Sequence, residues 1–346
     1  MEKIIIDTPG YRSEVLVGEK LGNVGTLLPV KGIAIITDDN VLKLYGKSFP
    51  EFPVYSVTPG EESKKLEVIE RLAERLLEGG IDRSGFILAV GGGVVCDIAG
   101  FLASIYMRGI RCGYISTTLL SQVDASTGGK NGVNLGDTKN ILGTFTQPEF
   151  VICDTVLLQT LSEREYLSGL AEMIKTAIIG DKYLFDLIEK SVVAIKNRDN
   201  DLLTDLVAKS VRFKALVVSE DEKESGIRRI LNFGHTFGHA IEMYHSVNHG
   251  FAVAAGMELS TDFSFSRGLI SKEEKERITD ILKRFGLLEN YNIPDNQIDR
   301  YIIHDKKKSG SEIHFIFTGG IGKAVAEKIP VSAVTDFYKL YKKTNK

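Results

Sequence analysis

Short apolar runs alternate with helix-like segments along about the first 155 residues of the chain. Ile33 to Thr37, Phe86 to Val90 and Cys112 to Ile115 are apolar runs closed by polar or glycine residues, as is typical of buried parallel strands. Leu66 to Leu77 and Val94 to Ile105 are predicted to be helices, and the first of them ends at a glycine pair, a common helix stop. This alternation predicts an α/β domain with a Rossmann-like, mostly parallel sheet, whose ligand lies beside the carboxyl ends of the strands.

The pattern becomes mainly helical in the second half of the chain. Capping-box signatures at Ser162-Glu165 and Ser271-Glu274 precede apolar residues at helical spacing, and such a signature marks the beginning of a helix. A further helix is predicted over Leu203 to Val218, and a strand is predicted over Ile313 to Phe317. The second half is therefore predicted to be a mainly α-helical domain.

The length of the chain, 346 residues, exceeds what one ordinary hydrophobic core holds, so two domains are expected. The change of pattern divides them into residues 1–158 and 159–346. With 43% hydrophobic and 26% charged residues, the composition is that of a globular protein rather than a disordered one.

Charge and cysteine content narrow the classes of partner and compartment. A formal net charge of −3 argues against a nucleic-acid-binding protein but allows a local basic pocket. No apolar run is long enough to span a bilayer and the N-terminus lacks the apolar core of a signal peptide, so no membrane partner is expected. The three cysteines, Cys96, Cys112 and Cys153, are scattered, which argues against a disulfide framework and favours a cytoplasmic location.

Two glycine-rich segments could approach an anionic ligand. Gly91 to Asp97 follows a predicted strand and begins a predicted helix, where backbone N–H groups and the helix N-terminus favour a phosphate. Gly128 to Asn134 holds a lysine and two asparagines, and Lys139 and Asn140 follow, so this segment could form an anion cradle. A tight turn packing helix on strand explains the first segment equally well, because its spacing is not GxGxxG. A solvated surface loop explains the second.

Four of the six histidines lie at positions 235, 239, 245 and 249. His235 and His239 are four residues apart, so on a helix they share one face, which is the spacing of many metal-binding pairs. Spacing alone therefore favours a metal site with these two histidines as ligands, and a surface histidine pair is the alternative. The HExxH signature of zinc proteases is absent.

Two lysines have positions that allow more than one interpretation. Lys175 follows Glu172 by three residues, where an exposed ion pair of small energetic value is the ordinary interpretation. Lys214 continues the apolar stripe of its predicted helix, so its ammonium either reaches out to solvent or contacts an anionic ligand.

An ordered set of motifs covers nearly the whole chain. It comprises TDDNV at 37–41, PGEESK at 59–64, GGGVVCDIAGF at 91–101, YMRG at 106–109, TTLLSQVDASTGGKNGVN at 117–134, KNILGTF at 139–145, SGLAEMIK at 168–175, DEKESGIRRILNFGHTFGHAIE at 221–242, HGFAVAAGM at 249–257 and DKK at 305–307. In this order the motifs resemble the 3-dehydroquinate synthase family of sugar-phosphate cyclases. Each motif alone is weak evidence for a family, but the whole set in this order is specific.

The resemblance implies an activity, cofactors and partners. The family converts 3-deoxy-D-arabino-heptulosonate 7-phosphate into 3-dehydroquinate and phosphate, a step of the shikimate pathway toward chorismate and the aromatic amino acids. It uses catalytic NAD and a zinc or cobalt ion, and because NAD is regenerated the net reaction is that of a lyase. The resemblance further implies a sugar-acid phosphate as the small-molecule substrate, a homodimer, an NAD-binding domain over 1–158 and a metal- and substrate-binding domain over 159–346.

The resemblance also implies roles for individual residues. Matched to the family's motifs, Glu172, His235 and His249 become the metal ligands, and His239 moves to the phosphate pocket, against the prediction from spacing. Asp124 and Lys175 would meet the reacting hydroxyls, and Lys214 and Arg228 the substrate carboxylate. The implied phosphate ligands are Lys130, Asn140, Asn232, His239 and Lys306 or Lys307, and Arg108 would reach the neighbouring site of a dimer.

The implied cofactor contacts lie in the first half of the chain. They are Asp39, Asn40, Glu61, Glu62, Lys64, Gly92, Gly93, Val94, Asp97, Thr117, Thr118, Leu120, Asp124, Lys130, Lys139, Thr160 and Leu161. The chain departs from the family's pattern at Ser116, Thr138, Thr146 and Phe251. Of these, Phe251 lies two residues after a predicted metal ligand and could tune metal affinity.

Two other enzyme classes stay open as alternatives. One is a related sugar-phosphate cyclase of secondary metabolism, although the GGKNGVN segment at 128–134 resembles dehydroquinate synthases better. The other is an NAD-dependent polyol dehydrogenase of the same superfold, which would release NADH and would not need Lys130, Lys214 and Arg228 together.

Overall fold

The computed structural model describes residues 1–136, 138–304 and 312–344. The chain folds as two compact units, neither of which is one continuous segment. Unit 1 consists of Met1–Tyr166 with Asn200–Lys223, and unit 2 of Leu167–Asp199 with Glu224–Lys346. The compact units therefore do not follow a single cut along the chain, and the division at residue 158 stays a prediction.

The secondary structure of the described residues is as follows. The strands are β1 (Glu2–Thr8), β2 (Tyr11–Val17), β3 (Ile33–Asp38), β4 (Val54–Val57), β5 (Phe86–Gly91), β6 (Arg111–Ser116), β7 (Lys130–Leu135), β8 (Thr138–Phe145), β9 (Phe150–Cys153), β10 (Glu312–Thr318) and β11 (Ala324–Pro330). The α-helices are α1 (Asp39–Tyr45), α2 (Leu66–Glu78), α3 (Gly93–Ile105), α4 (Glu163–Gly180), α5 (Lys182–Lys190), α6 (Val192–Lys196), α7 (Asn200–Glu220), α8 (His235–His245), α9 (His249–Ser266), α10 (Lys272–Arg284), α11 (Ile298–His304) and α12 (Val331–Thr344).

A seven-stranded sheet of order β1-β2-β9-β6-β5-β3-β4 forms the centre of unit 1. Its neighbours are parallel, except for the antiparallel pair β1 and β2. β3, β5 and β9 bury nearly every residue, as strands do in a parallel sheet that is covered on both faces. Because parallel strands end at the same edge, the segments that follow β3, β4, β5 and β6 lie along one edge of the sheet.

Helix α7 completes unit 1. It packs against β1 and β2 and buries Leu203, Val207, Val211 and Val218. The periodicity of the sequence predicted this helix correctly. Its membership of unit 1 could not be predicted from periodicity, because the pattern gives a buried face but not the surface that covers it.

The strands and helices predicted before residue 155 are confirmed, with bounds that differ by one residue at most. The glycine-rich segment 128–134, for which an anion cradle and a surface loop both stayed open, forms a strand that neither interpretation included. Lys130–Leu135 is strand β7 and pairs with β8 in a separate hairpin. Only its first two residues, Gly128 and Gly129, keep the positive φ angles of a turn, 108° and 66°.

In unit 2, α8 and α9 cross at very close range. A Cβ on Gly256 would lie 2.0 Å from the carbonyl oxygen of Gly234, and one on Gly238 would lie 3.1 Å from that of Ala252. Glycine at these positions lets the two helix backbones approach. The helices share a core with the hairpin β10–β11, in which Phe237, Phe263 and Phe315 are buried among other apolar side chains.

Both predicted capping-box signatures begin helices. The Ser271 hydroxyl accepts from the Glu274 amide at 3.2 Å, and the Glu274 carboxylate accepts from the Ser271 amide at 3.0 Å, which is the full reciprocal pair. The Ser162 hydroxyl accepts from the Glu165 amide at 3.4 Å at the beginning of α4. The predicted strand over 313–317 is confirmed as β10.

Two further findings concern the membrane and the thiols. Across the described stretches, no helix is both long and apolar enough to cross a bilayer. Cys96, Cys112 and Cys153 are free and buried.

Candidate active site

The candidate metal site of unit 2 includes a buried carboxylate on α4. Glu172 is 1% exposed, and Lys175, one turn later and 3% exposed, forms an ion pair with its Oε2. The ordinary interpretation of this pair as an exposed surface contact is therefore wrong. Since Oε2 is held by the ammonium, Oε1 is the carboxylate oxygen that faces the two histidines described next.

Two imidazoles direct the same nitrogen toward Glu172. The Nε2 atom of His249 lies 3.2 Å from Glu172 Oε1, and that of His235 lies 3.8 Å from the same oxygen. The Nδ1 atom of His235 contacts the carbonyl oxygen of Phe233 at 3.2 Å, and that of His249 contacts Glu242 Oε2 at 3.0 Å. Each ring is thus oriented by a second partner, as is usual for metal-binding histidines.

Local structure explains why these residues meet. α8 begins with His235 directly after Gly234, whose φ of 80° is left-handed. α9 begins with His249, and its second residue, Gly250, donates its amide to Ser168 Oγ at 3.2 Å. A Cβ on Gly250 would lie only 2.4 Å from Ser168 Cα. Glycine therefore brings the beginning of α9 against α4, one turn from Glu172.

The charges of this cluster follow from burial and mutual contact. Burial raises the pKa of the Glu172 carboxyl, but Lys175 and the imidazoles together hold that pKa well below its ordinary value. Burial and the Lys175 cation lower the pKa of His235 to about 3. Burial also lowers the pKa of His249, yet its hydrogen bonds to Glu172 and Glu242 raise it to about 10. The ionised Glu172 and the neutral His235 are thus in the form that binds a cation, whereas His249 has to release a proton when a cation binds.

The geometry accommodates a divalent ion. One ligand atom from each of Glu172, His235 and His249 lies within 4.8 Å of the others. One carboxylate and two imidazoles are a common ligand set for catalytic zinc, which keeps a further position for water or substrate. A second set with the same spacing, His239, Glu242 and His249, shares one histidine with the first. The pair expected from spacing, His235 and His239, has its rings edge to face at 5.1 Å and does not by itself form either set.

Unit 1 has a candidate cofactor site of its own, at the carboxyl edge of the parallel sheet. Gly92, Gly93 and Val94 follow β5, Thr117 and Thr118 follow β6, and Glu61 to Lys64 follow β4. α3 begins without a side-chain cap, so its first backbone N–H groups can bind an anion. A Cβ on Gly92 would lie 2.8 Å from the Thr118 side chain. This edge therefore has free N–H donors, and its glycines let the diphosphate of a dinucleotide come close to the backbone.

Lys64 is a buried cation at this edge. It is 3% exposed, donates to Asp97 Oδ2 at 2.6 Å and also contacts the side-chain oxygen of Asn140. Asn134 links the same cluster, because it donates to Glu61 Oε1 at 3.0 Å and accepts from the Asn140 amide at 2.8 Å. The cluster joins the predicted cofactor residues to the hairpin β7–β8. Burial nevertheless raises the pKa of Asp97 to about 6, despite the lysine beside it.

Lys214 is buried on α7, as its place on an apolar stripe predicted. It is 7% exposed and donates to the backbone oxygen of Asp124 at 2.6 Å, with a further contact to the Asp124 carboxylate. Two residues expected to touch the substrate are thus in contact with each other in unit 1.

The other predicted residues have varied surroundings. Arg228 is 2% exposed, and the Asn232 side chain donates to Glu224. Arg108 is exposed, in a left-handed conformation with φ 71°. Lys130, Lys139, Asn140, Asp39, Asn40, Glu62 and Thr160 are exposed, and Leu120 and Leu161 are half-buried. Lys306 and Lys307 lie outside the described residues, so their assignment to the phosphate stays a prediction.

Sequence reasoning missed two acidic partners within unit 2. Glu242 contacts His249 at 3.0 Å, and Glu224 contacts Asn232. A signal for the first was present, because Glu242 follows His235 by seven residues and so shares its helix face. The second depends on the fold of the segment before α8 and leaves no mark in spacing.

The comparisons with known proteins bear on both halves of the chain. A family model for the N-terminal part of 3-dehydroquinate synthase matches residues 54–168, and one for the C-terminal part matches residues 169–308. The chain belongs to the 3-dehydroquinate synthase family. A curated 3-dehydroquinate synthase of Thermoanaerobacter pseudethanolicus is 46% identical over 302 residues, which is 84% of this chain and 85% of the relative.

Two solved structures of related cyclases resemble this member of the 3-dehydroquinate synthase family. One is 2-epi-5-epi-valiolone synthase from Streptomyces hygroscopicus subsp. jinggangensis with NAD+ and Zn2+ bound. It has a TM-score of 0.87 and 27% identity, over 95% of this chain and 96% of that one. The other is 2-deoxy-scyllo-inosose synthase complexed with carbaglucose-6-phosphate, NAD+ and Co2+. It has a TM-score of 0.84 and 25% identity, over 97% and 99% of the two chains.

Proposed function

We propose that the protein is a 3-dehydroquinate synthase, which converts 3-deoxy-D-arabino-heptulosonate 7-phosphate into 3-dehydroquinate and phosphate in the shikimate pathway. The observation that carries the proposal is the meeting of Glu172, His235 and His249, with ligand atoms within 4.8 Å of one another, in a chain of this family. Identity of 46% to a curated member over 84% of the chain supports the same substrate.

The cofactors of the proposed enzyme are NAD+ and one zinc or cobalt ion. When bound, NAD+ supplies a temporary oxidation of the substrate alcohol, and the metal supplies Lewis-acid polarisation of substrate hydroxyls. Glu172, His235 and His249 would hold the ion, since they are a carboxylate and two oriented imidazoles. The N-terminus of α3 and the glycines before it would hold the cofactor diphosphate.

The residues around these ligands orient and neutralise. Lys175 holds Glu172 Oε2, so the carboxylate presents Oε1 toward the imidazoles. Lys64 contacts the side-chain oxygen of Asn140, which turns the amide donors of Asn140 away from the lysine, as phosphate binding by this residue requires. Lys214 keeps the Asp124 carboxylate in one place, where it can exchange a proton with a substrate hydroxyl.

Charge supports a substrate with both a carboxylate and a phosphate. Such a molecule carries about three negative charges at neutral pH. Burying these charges in a pocket without cationic partners would cost more free energy than the other contacts with the substrate supply. The predicted substrate residues include Lys130, Lys214 and Arg228, and the last two are buried at 7% and 2% exposure. Buried cations in a chain of net charge −3 favour an anionic ligand.

A homodimer in the cytoplasm completes the proposal. Arg108 is exposed. It lies in a turn of three residues with positive φ angles, 51° at Met107, 71° at Arg108 and 110° at Gly109. A strained turn that presents a cation is consistent with a contact to a second copy. Free, buried cysteines are consistent with a reducing compartment.

Phosphate release from the heptulosonate phosphate tests the function. With substoichiometric NAD+ and zinc, we expect equal amounts of phosphate and 3-dehydroquinate and no accumulation of NADH. Chelation should abolish turnover, and zinc or cobalt should restore it. Glu172→Gln should be inactive, whereas Glu276→Gln, at an exposed position of α10, should match the wild type.

Two outcomes would replace this function with another one. Accumulation of NADH would indicate a dehydrogenase. Turnover of glucose 6-phosphate, which has no carboxylate, together with no turnover of the heptulosonate phosphate, would indicate a cyclase of secondary metabolism.

A further inference from the structure

The Glu242 carboxylate is the least explained charged group near the candidate metal ligands. It lies on α8 with its side chain 13% exposed and contacts His249. It also belongs to the second set of possible ligands, with His239 and His249. Glu242 is therefore either a ligand of a metal held by that second set or a group that acts through His249.

The two nitrogens of His249 have different carboxylate partners. Nε2 lies 3.2 Å from Glu172 Oε1, and Nδ1 lies 3.0 Å from Glu242 Oε2. A neutral imidazole has one nitrogen with a lone pair and one N–H. When one nitrogen of the ring binds a metal, the other nitrogen carries the hydrogen and needs an acceptor. One of the two carboxylates can therefore be a ligand of that metal, and the other one can be the acceptor.

Comparison with His235 indicates which nitrogen of His249 faces the metal. Its Nε2 lies 3.8 Å from the same Glu172 oxygen, and its Nδ1 contacts the carbonyl oxygen of Phe233 at 3.2 Å. A backbone carbonyl is an acceptor and forces the proton of His235 onto Nδ1. Both rings thus turn Nε2 toward Glu172 and Nδ1 toward an acceptor, so His235 and His249 form one arrangement around Glu172.

We propose that Glu242 is a positioning residue. It accepts a hydrogen bond from Nδ1–H of His249 and so fixes Nε2 as the atom that binds the metal, without binding the metal itself. The inference rests on the metal centre of the proposed function and adds a residue to which that function gives no role.

The local fold gives Glu242 a fixed place from which to act. It lies two turns after His235 on the same face of α8, and its backbone oxygen accepts from the Ser246 amide at 2.9 Å as the helix ends. The connection to α9 is short, with Ser246 left-handed at φ 54° and the Asn248 side chain accepting from the Gly250 amide at 3.1 Å. The end of α8 and the beginning of α9 are therefore both held where Glu242 meets His249.

Metal affinity of the purified full-length protein tests this role without any assay of turnover. Zinc binding to the metal-free protein is measured by competition with a chromophoric chelator, for the wild type, Glu242→Gln, Glu242→Ala, Glu172→Gln and Glu276→Gln. Thermal unfolding of each metal-free variant shows whether the fold is retained. The visible absorption of the cobalt-loaded forms shows whether the ligand set is retained.

We expect Glu242→Gln to bind one zinc ion about 10-fold more weakly and Glu242→Ala about 100-fold more weakly, the range that such partners usually contribute. The amide of the first variant can still accept from Nδ1–H, which explains its smaller loss. The cobalt bands of Glu242→Gln should keep their positions, and its metal-free form should still unfold cooperatively. Glu172→Gln should lose binding, and Glu276→Gln should bind as the wild type does.

Three outcomes would overturn the inference. Unchanged zinc affinity in both Glu242 variants would remove the positioning role. A changed cobalt spectrum in Glu242→Gln, with binding retained in Glu172→Gln, would make Glu242 a ligand of the second set. A wild-type protein that binds no zinc would remove the metal centre and the proposed function together.

Discussion

Burial changes what a short-range ion pair does at Glu172 and Lys175. On a solvated helix face such a pair contributes a few tenths of a kcal/mol, but here the two side chains are 1% and 3% exposed. Removing either partner would leave a buried charge uncompensated, at a cost of about 3–5 kcal/mol. The pair therefore holds the carboxylate in place for the imidazoles and is more than a surface contact.

Histidine variants distinguish the two interpretations of the histidine cluster. His235→Ala removes an imidazole whose Nε2 faces Glu172, so we expect it to lose stoichiometric zinc. His239→Ala should retain zinc, because the set around Glu172 does not include it. Metal content after dialysis checks both, and equal losses would support the set expected from spacing.

Lys214 should act through substrate binding. Lys214→Ala removes a buried cation, and hydrogen bonds to charged groups are worth about 1.5–3 kcal/mol, so kcat/KM should fall about 10- to 100-fold, mainly through a higher KM. Steady-state kinetics with the heptulosonate phosphate measures this. Lys209→Ala, on the same helix and paired with Asp205, is the matched control. An unchanged kcat/KM for the Lys214 variant would exclude contact with the substrate carboxylate.

Asp97 should make unit 1 less stable as the pH rises toward neutrality. Burial raises the pKa of Asp97 to about 6, whereas in the unfolded chain it is about 3.9. Between these values the folded form binds more protons, so this group's stabilising contribution is complete below about pH 4 and is lost as the pH rises through 6. Asp97→Asn should remove up to about 3 kcal/mol of that dependence.

Thermal unfolding between pH 4.5 and 7.5 measures the effect of Asp97. The melting temperature of Asp97→Asn should depend less on pH than that of the wild type. Asp280→Asn, at an exposed position of α10, should keep the wild-type slope. A steeper dependence in the Asp97 variant would show that the Lys64 contact outweighs burial.

At the scale of elements, the apolar pattern predicted those strands and helices that are determined by their own local sequence. β3 and β5 are buried on both faces, so their sequences are continuous apolar runs that identify them. The hairpin β7–β8 was not predicted, because its strand character comes from pairing, such as Lys130 with Phe145, and not from its glycine-rich sequence. A contact between residues distant in sequence leaves no periodicity.

Part of the candidate metal site could likewise be predicted from local sequence, and part of it could not. Spacing predicted a metal site with His235 in it, because that prediction depends on one helix. The third ligand depends on how α9 meets α4 at Gly250 and Ser168, which no spacing contains. Resemblance to the family supplied His249 as a predicted ligand for that reason, and Glu242 was missed because its contact with His249 matches no predicted ligand.

Gly250→Ala should displace the beginning of α9. The added Cβ would lie 2.4 Å from Ser168 Cα and 2.5 Å from Ser168 O, so α9 must move away from α4, at a cost of about 1–3 kcal/mol. Since His249 is the adjacent residue, we expect zinc affinity to fall at least about 10-fold. Gly25→Ala, where a Cβ meets nothing within 4 Å, is the control. Wild-type zinc affinity in Gly250→Ala would show that the contact does not position His249.

At the scale of the whole molecule, unit 1 is completed by a segment distant in sequence. α7 buries Leu203, Val207 and Val211 against strands at the beginning of the chain. A fragment of residues 1–166 lacks this helix, so we expect it to bind a hydrophobic dye and to be cleaved rapidly by protease. Residues 1–166 joined by a flexible linker to 200–223 should resist both. Equal protease resistance of the two fragments would show that α7 is dispensable for unit 1.

The return of the chain to unit 1 at Asn200 sets an order for biosynthesis. On the ribosome, the sheet cannot receive α7 until Glu220, the last residue of that helix, has been added and has left the exit tunnel. At about 5–20 residues per second, the nascent chain spends about 10–40 s between completion of β2 and completion of α7. During that interval we expect chaperones that bind exposed hydrophobic strands to hold the nascent chain, and unit 1 is completed only after part of unit 2 has been made.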